Sequence, residues 1–285
     1  MGLGLIGGSL VRAVKARSLP YRVVGVARRA ETRRAALDCG AVDSVRATAA
    51  EAAPEGGLVV LALPVLRIPE ALGEIAPHLP EGAVVTDVGS TKLALVREAA
   101  RILPDEVAFV GGHPIAGTED SGFDASFPEL FDGARCILTP GENSPDDALS
   151  RVRALWEAVG SRVEIMDPAL HAHILAVISH LPHIVAYALV NAAAAADRAH
   201  PGLLDYTGGG FRDFTRIAAS HSVMWRDICL DNRDEVLQAV DSFIEEVSHL
   251  RDLVRERDAE GLEKAFEAAR TVRRSLTQKK DGGRS

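Results

Sequence analysis

The 285-residue chain has few cysteines, few aromatic residues and no excess of positive charge. Its three cysteines lie far apart without a CxxC pair, which excludes a disulfide framework and a zinc ribbon and predicts reduced thiols in the cytoplasm. Basic residues number 32 against 40 acidic ones, so the clustered basic face of a nucleic-acid-binding protein is not expected. No uninterrupted apolar run reaches the ~18 residues of a membrane span. The N-terminus is apolar but lacks the preceding basic residues of a signal peptide. These absences favour a small-molecule ligand.

Hydrophobic residues make up 47% of the chain, enough for a substantial core, and the length suggests two domains. Up to about residue 166, short β-branched runs alternate with helical stretches, which predicts an α/β fold with a parallel sheet covered by helices. The runs lie at residues 21–27, 58–63, 83–88, 107–111, 134–139 and 162–166. We therefore assign residues 1–166 to one α/β domain.

Residues 167–285 are predicted to form an all-α domain. The Ala-rich segment 169–199 indicates a long helix that is interrupted or bent near Pro182. Further on, apolar residues alternate in steps of four and three at Val236, Val240, Phe243, Val247, Leu250 and Val254. Such a narrow seam suits either packing inside the domain or a subunit interface.

A glycine-rich turn opens the chain and indicates a dinucleotide site. Gly2, Gly4 and Gly7 match GxGxxG, with Leu5 and Ile6 between them. The first glycine permits a tight turn, the second lets a pyrophosphate approach, and the third lets helix and sheet pack closely. Such turns are common, but the strand expected at about residue 21 supports this interpretation. We therefore assign residues 1–166 to a dinucleotide-binding domain.

The strand that should precede these glycines is missing, because Gly2 follows the first residue directly. In a doubly wound sheet that strand is central, and its neighbours lose a backbone ladder without it. We therefore expect a misassigned start or a truncated chain.

The end of the second strand indicates the cofactor. An acidic residue that binds the ribose usually lies about 20 residues beyond the motif, but Ala27 lies there, followed by Arg28 and Arg29. Because guanidinium groups bind a 2′-phosphate, NADP is favoured over NAD; the alternative is that both arginines are merely solvated. Leu63 and Pro64, at the end of the run 58–63, are assigned to the same cofactor site.

Two segments carry candidate catalytic groups. His113 lies in the glycine-rich stretch 111–119, which is expected to be a loop, and Ser90 lies in residues 87–92. Both follow predicted strands, so they should flank one crevice at the carboxyl edge of the sheet. A histidine there can accept a proton near neutral pH and a serine hydroxyl can orient it; the alternative is a structural histidine.

Six segments together follow the order of one known family, namely residues 2–10, 87–92, 111–119, 179–183, 208–216 and 224–227. Through them the chain resembles the prephenate/arogenate dehydrogenase family of tyrosine biosynthesis. The resemblance implies a homodimeric enzyme that uses NAD(P) to oxidise and decarboxylate a cyclohexadienol, with residues 167–285 as its domain for substrate binding and dimerisation. The chain departs from the family pattern in its missing first strand and in Ala27.

The resemblance also implies roles for individual residues. His113 would accept the hydrogen bond of the substrate's C4 hydroxyl with Ser90 beside it, and Arg216 would bind a substrate carboxylate. Further pocket positions would be His183, Thr118, Glu119 and, less strongly, His171.

Three more residues are assigned to substrate binding, two of them with an alternative. Asp213 lies one helical turn before Arg216 and could hold it, although an ordinary surface salt bridge has the same spacing. Gly209, within three consecutive glycines, would let backbone approach a ligand. Trp225 suits either the pocket wall or the helical core.

The histidines at residues 171–183 do not complete a metal-ligand pattern, so no metal is expected. Two other functions stay open: a dehydrogenase of another small hydroxy acid, and a nucleotide-sensing protein that has lost activity.

Overall fold

The computed structural model describes residues 1–118, 120–142 and 144–281. Contacts divide the chain into two compact units, Met1–Glu235 and Val236–Ser285. The domain boundary at residue 166 stays a prediction.

Each of the six predicted apolar runs contains a strand. The strands are β1 (Val24–Val26), β2 (Ser44–Arg46), β3 (Leu58–Leu61), β4 (Val84–Asp87), β5 (Ala108–Pro114), β6 (Arg135–Pro140) and β7 (Arg162–Ile165). The apolar pattern does not predict β2, because its three half-buried residues are too few to form an alternating run.

The helices of the first unit alternate with these strands and then follow one another. They are α1 (Leu5–Ala16), α2 (Ala30–Asp38), α3 (Ala49–Ala52), α4 (Ile68–Ile75), α5 (Leu93–Ile102), α6 (Asp146–Ala158), α7 (Pro168–Leu175), α8 (Leu181–Ala199), α9 (Gly209–Thr215) and α10 (Ser222–Asp231). Helix α11 (Arg233–Glu256) begins in the first unit, and α12 (Ala259–Asp281) lies in the second. The 3.5-periodic seam lies on α11, where Val247 and Val254 are exposed.

The five strands β3 to β7 form one sheet in sequence order, and β1 pairs with β2 in a separate sheet. All pairs are parallel except β5 and β6, which run antiparallel. The expectation of an entirely parallel sheet is therefore wrong at β6. Two consecutive strands can run parallel only if a crossover connects them, and this crossover is usually a helix. No helix lies in the described part of the connection from β5 to β6.

Alternating side chains of the central strands bury both faces of the large sheet. Val84 and Val110 pack with α1 and α6 around Trp156. Val85 and Phe109, their neighbours in sequence, point to the other face and pack with α4 and α5. Helices thus cover both faces, and the loops at the strand ends remain accessible for a site.

The N-terminal residues lie between the two sheets. The Gly2 N–H donates to the Val26 carbonyl at 3.0 Å, and the Ala62 N–H donates to the Met1 carbonyl at 2.7 Å. No strand precedes α1 in the described residues. Beside Met1 and Gly2 a cavity of about 140 Å³ is lined by apolar side chains that include Val60 and Leu155. The sheet is therefore divided where a doubly wound sheet is continuous.

Helices α7 and α8 are joined through a π-helical turn at Ala176–His180, and Pro182 is the second residue of α8. Pro182 has no N–H to donate, so the interruption lies where the sequence predicts it. Within the described residues, the stretch Pro168–Ala199 is long and apolar enough to cross a membrane by length and composition. That criterion is also met by helices of soluble proteins.

Candidate active site

The glycine-rich turn forms a cradle that fits a dinucleotide. A Cβ on Gly2, which has a φ of +89°, would lie 2.1 Å from the Ala62 carbonyl oxygen, and one on Gly7 would lie 2.0 Å from the Gly2 carbonyl oxygen. Gly4 has open space beside it instead, and no side chain caps the N-terminus of α1 at Leu5. Gly2 and Gly7 thus shape the turn, while Gly4 leaves room for a pyrophosphate at the helix N-terminus.

Most of the other residues assigned to the cofactor lie at the carboxyl ends of β1 and β3. Leu63 approaches Gly2 closely, and Pro64 follows it at the surface. Ile6 lies in the first turn of α1. Arg28 and Arg29 are exposed between β1 and α2.

The backbone that presents these arginines is held by a third one. The Arg33 guanidinium donates to the carbonyl oxygens of Ala27 and Arg28 at 2.8 and 2.7 Å. These bonds fix the turn after β1, so that Arg28 and Arg29 extend from an ordered segment.

His113 lies inside a strand, which corrects its assignment to a loop. The antiparallel ladder with β6 extends β5 through Pro114, and His113 pairs with Ile137. Its side chain is only 8% exposed. The ladder fixes the backbone of His113 more firmly than a glycine-rich loop would.

His113 shares a hydrogen bond with His171 of α7. The His113 Nδ1 lies 2.9 Å from the His171 Nε2, and His171 is fully buried. Burial lowers the pKa of His113 well below 6.5, and the charges of His171 and Lys92 lower it further. Burial also lowers the pKa of His171 to about 3, so both rings are neutral at pH 7.

More histidines continue from this pair toward Arg216. His180 is buried and its Nδ1 lies 3.2 Å from the Asn232 amide nitrogen. His183 stacks on Trp225 with ring centroids 3.4 Å apart. Burial lowers the pKa of His183, and the Arg216 charge lowers it further, so the guanidinium lies within electrostatic range of the imidazole.

The remaining assigned residues lie on accessible segments. Gly209 opens α9, Asp213 is exposed on it, and Arg216 begins the 3₁₀ turn that follows. Ser90 is half-buried. Thr118 is exposed, and its Oγ1 accepts from the Asp120 N–H at 3.3 Å.

Glu119, also assigned to the pocket, lies outside the described residues. Trp225 is 8% exposed, so it belongs to the packed helical core and at the same time supports His183.

Sequence reasoning gives no role to the buried ion pair of Asp87 and Lys92. Both side chains are fully buried beneath the site. The available signal is the position of Asp87, a carboxylate that directly ends an apolar run.

Metal-ligating groups do not gather in the described part of the chain. No group of three or more His, Cys, Asp or Glu side chains there could hold a metal ion. The cysteines are free thiols at exposed Cys39, buried Cys136 and half-buried Cys229.

Two family models match consecutive parts of the chain. The first, described as prephenate dehydrogenase, nucleotide-binding domain, matches residues 10–165. The second, described as prephenate dehydrogenase, dimerization domain, matches residues 167–268.

Individual relatives agree with these models over nearly the whole chain. A prephenate dehydrogenase of Bacillus subtilis is 38% identical and covers 99% of this chain and 76% of its own. A cyclohexadienyl dehydrogenase of Zymomonas mobilis is 35% identical over 97% of this chain and 94% of its own. A crystal structure of prephenate dehydrogenase from A. aeolicus, in complex with hydroxyphenyl propionate and NAD+, has a TM-score of 0.91 and 37% identity, with 96% of both chains covered.

Proposed function

This chain belongs to the prephenate dehydrogenase family, and on that premise we propose that it oxidises and decarboxylates prephenate, arogenate or both in tyrosine biosynthesis. In this reaction the substrate's C4 loses a hydride, its C4 hydroxyl loses a proton, and the ring carboxylate leaves as carbon dioxide. When bound, NAD(P)+ supplies the acceptor for the hydride. The aromatic product provides the driving force, so the protein mainly positions C4 and removes a proton.

His113 is the group that removes the proton. Its ring is neutral at pH 7, because burial lowers its pKa. For its Nε2 to accept a proton, its Nδ1 must carry a hydrogen and donate it to the His171 Nε2, 2.9 Å away. His171 thus fixes the tautomer and the orientation of the base, while Ser90 hydrogen-bonds the reacting hydroxyl.

Arg216 binds a substrate carboxylate through its planar guanidinium, which can donate two parallel hydrogen bonds. His183, within electrostatic range of Arg216 and stacked on Trp225, forms part of the same pocket. Thr118, Glu119, Gly209 and Asp213 are assigned to its rim.

The observation that carries this proposal is the contact between His113 on β5 and His171 on α7. We expect purified protein to reduce NAD(P)+ in the presence of prephenate or arogenate, with release of 4-hydroxyphenylpyruvate or tyrosine and carbon dioxide. Mass spectrometry of the products and the absorbance of the reduced nicotinamide measure this turnover. Cofactor binding without turnover of either substrate would instead favour the nucleotide-sensing alternative.

We propose that the enzyme is a cytoplasmic homodimer that pairs through its C-terminal helices. The family model over residues 167–268 is described as a dimerization domain. Exposed apolar side chains on α11, among them Val247 and Val254, provide surface for a second copy.

We further propose that NADP is preferred over NAD. Ala27 replaces the acidic residue that would bind a ribose 2′-hydroxyl and repel a 2′-phosphate. Arg28 and Arg29 are exposed beside it, on a turn that Arg33 holds.

Alanine at Arg28 or Arg29 is expected to raise the KM for NADP about tenfold and to leave the KM for NAD nearly unchanged. The lost hydrogen bond to a charged phosphate is worth about 1.5 kcal/mol, which corresponds to that factor. Steady-state kinetics with both cofactors measure the effect. Arg34→Ala, an exposed arginine of the same cluster, is the matched control. An unchanged KM for NADP would mean that these arginines are merely solvated. Equal losses with both cofactors, or the same loss in the control, would mean that they do not recognise the 2′-phosphate.

A further inference from the structure

The Asp87 carboxylate joins the two segments that carry Ser90 and His113. Its Oδ2 accepts from the Gly89 N–H at 2.7 Å, directly before Ser90. Its Oδ1 accepts from the Gly112 N–H at 3.0 Å, directly before His113. One side chain at the end of β4 therefore sets the spacing between the backbones of both candidate catalytic residues.

Lys92 makes it possible for this carboxylate to be buried. Its Nζ donates to the Asp87 Oδ2, and neither side chain is exposed to solvent. A buried carboxylate without a cation would cost several kcal/mol of folding free energy. Lys92 directly precedes α5, so the ion pair also joins the end of β4 to the start of this helix.

Three glycines let the backbone close around the ion pair. A Cβ on Gly89 would lie 2.8 Å from the Asp87 Oδ2, and one on Gly112 would lie 2.7 Å from the Asp87 carbonyl oxygen. A Cβ on Gly111 would approach the Lys92 Cδ to 3.0 Å. These glycines therefore belong to a tightly packed unit.

We propose that Asp87 and Lys92 act as a positioning pair for the dehydrogenation, an inference that rests on the proposed function. Asp87 holds Ser90 and His113 at the spacing that the substrate hydroxyl requires, because each of its oxygens accepts from one of the two segments. Burial raises the pKa of Asp87, and the charge and hydrogen bond of Lys92 oppose that rise. An amide presents an acceptor oxygen on one side only, so one of the two N–H groups would face the amide NH2 group instead. A displacement of ~1 Å at a reacting group can lower the rate about 100-fold.

The test compares Asp87→Asn, Lys92→Met and the double variant with the wild-type enzyme. Each single change leaves a buried group without its partner, so we expect lower thermal stability and at least about a tenfold loss of kcat. The double variant removes both charges and regains much of the stability. Its kcat stays at least about tenfold low, because one N–H still lacks an acceptor, while the KM for NAD(P) stays close to that of the wild type.

Asp43→Asn is the matched control. The Asp43 Oδ2 also accepts from a lysine, Lys15, at 2.6 Å and from a backbone N–H, that of Val23, at 2.7 Å, but this pair is exposed. We expect its kcat to equal that of the wild type. If kcat returned together with stability in the double variant, the pair would be purely structural and the proposal wrong.

A second variant tests the proposal without removing a charge. In Gly89→Ala the new Cβ must displace the Asp87 carboxylate, so kcat should fall about tenfold or more in a folded enzyme. Gly73→Ala, where a Cβ meets nothing within 4 Å, is its control. An unchanged kcat in Gly89→Ala would overturn the proposal. Absence of turnover in the wild type would instead contradict the proposed function itself.

Discussion

Replacing His113 with asparagine lowers kcat by a factor of about 10²–10⁴, the usual contribution of a positioned general base. Asparagine can still hydrogen-bond the substrate hydroxyl but cannot take its proton at neutral pH. The KM values for substrate and NAD(P) should therefore change little. Steady-state kinetics, with circular dichroism to show that the variant is folded, measure the effect.

His78→Asn is the control, because His78 is an exposed histidine far from this strand in the sequence. Its kcat should match that of the wild type. If His113→Asn retained wild-type kcat with both substrates, the assignment of the base would be wrong.

The pH dependence gives a second readout of the same base. The active form is the neutral imidazole, so activity is lost as the pH falls through the pKa of His113. Burial, followed by the charges of His171, Lys92 and His180, lowers this pKa well below 6.5. The acidic limb of kcat/KM should therefore lie below pH 6.5 and disappear in His113→Asn. A limb above pH 6.5 would indicate another group.

Replacing Arg216 with alanine raises the KM for the substrate about 100-fold and leaves the KM for NAD(P) unchanged. The two lost hydrogen bonds to a carboxylate are together worth about 2.7 kcal/mol of binding free energy, which corresponds to that factor. Arg216→Lys should recover only part of the affinity, because an ammonium cannot form two parallel bonds in one plane. Initial rates over a range of substrate concentrations measure both variants.

Two nearby variants separate this role from the alternative of a surface salt bridge. Arg212→Ala removes an exposed arginine that donates to the Thr207 carbonyl at 3.0 Å, and it should leave the KM for the substrate unchanged. Asp213→Ala should have a much smaller effect than Arg216→Ala if the carboxylate of the substrate is the main partner. Equal effects of Asp213→Ala and Arg216→Ala would favour the salt bridge.

Local patterns in the sequence determined the α/β class, the cradle and the helical C-terminal half. The glycine spacing at Gly2, Gly4 and Gly7 predicts the turn, and Gly7 closes on the nearby Gly2, although the backbone that Gly2 must approach is that of the distant Ala62. The apolar runs locate six strands, and for β4, which is buried on both faces, the reason is that such a strand needs uninterrupted apolar residues. The largely exposed β7 does not follow this reason. Pro182 likewise indicates the interruption of the long helix, since proline withholds a backbone donor.

Only the tertiary structure decided how the candidate site is assembled. The antiparallel pairing of β6 depends on a partner strand and extends β5 through His113, which no local pattern indicates. The contact between His113 and His171 joins residues 58 positions apart, and the ion pair of Asp87 and Lys92 is identified by its complete burial. Periodicity reports which residues share an element, whereas hydrogen bonds between elements and the desolvation of charges depend on how the elements pack.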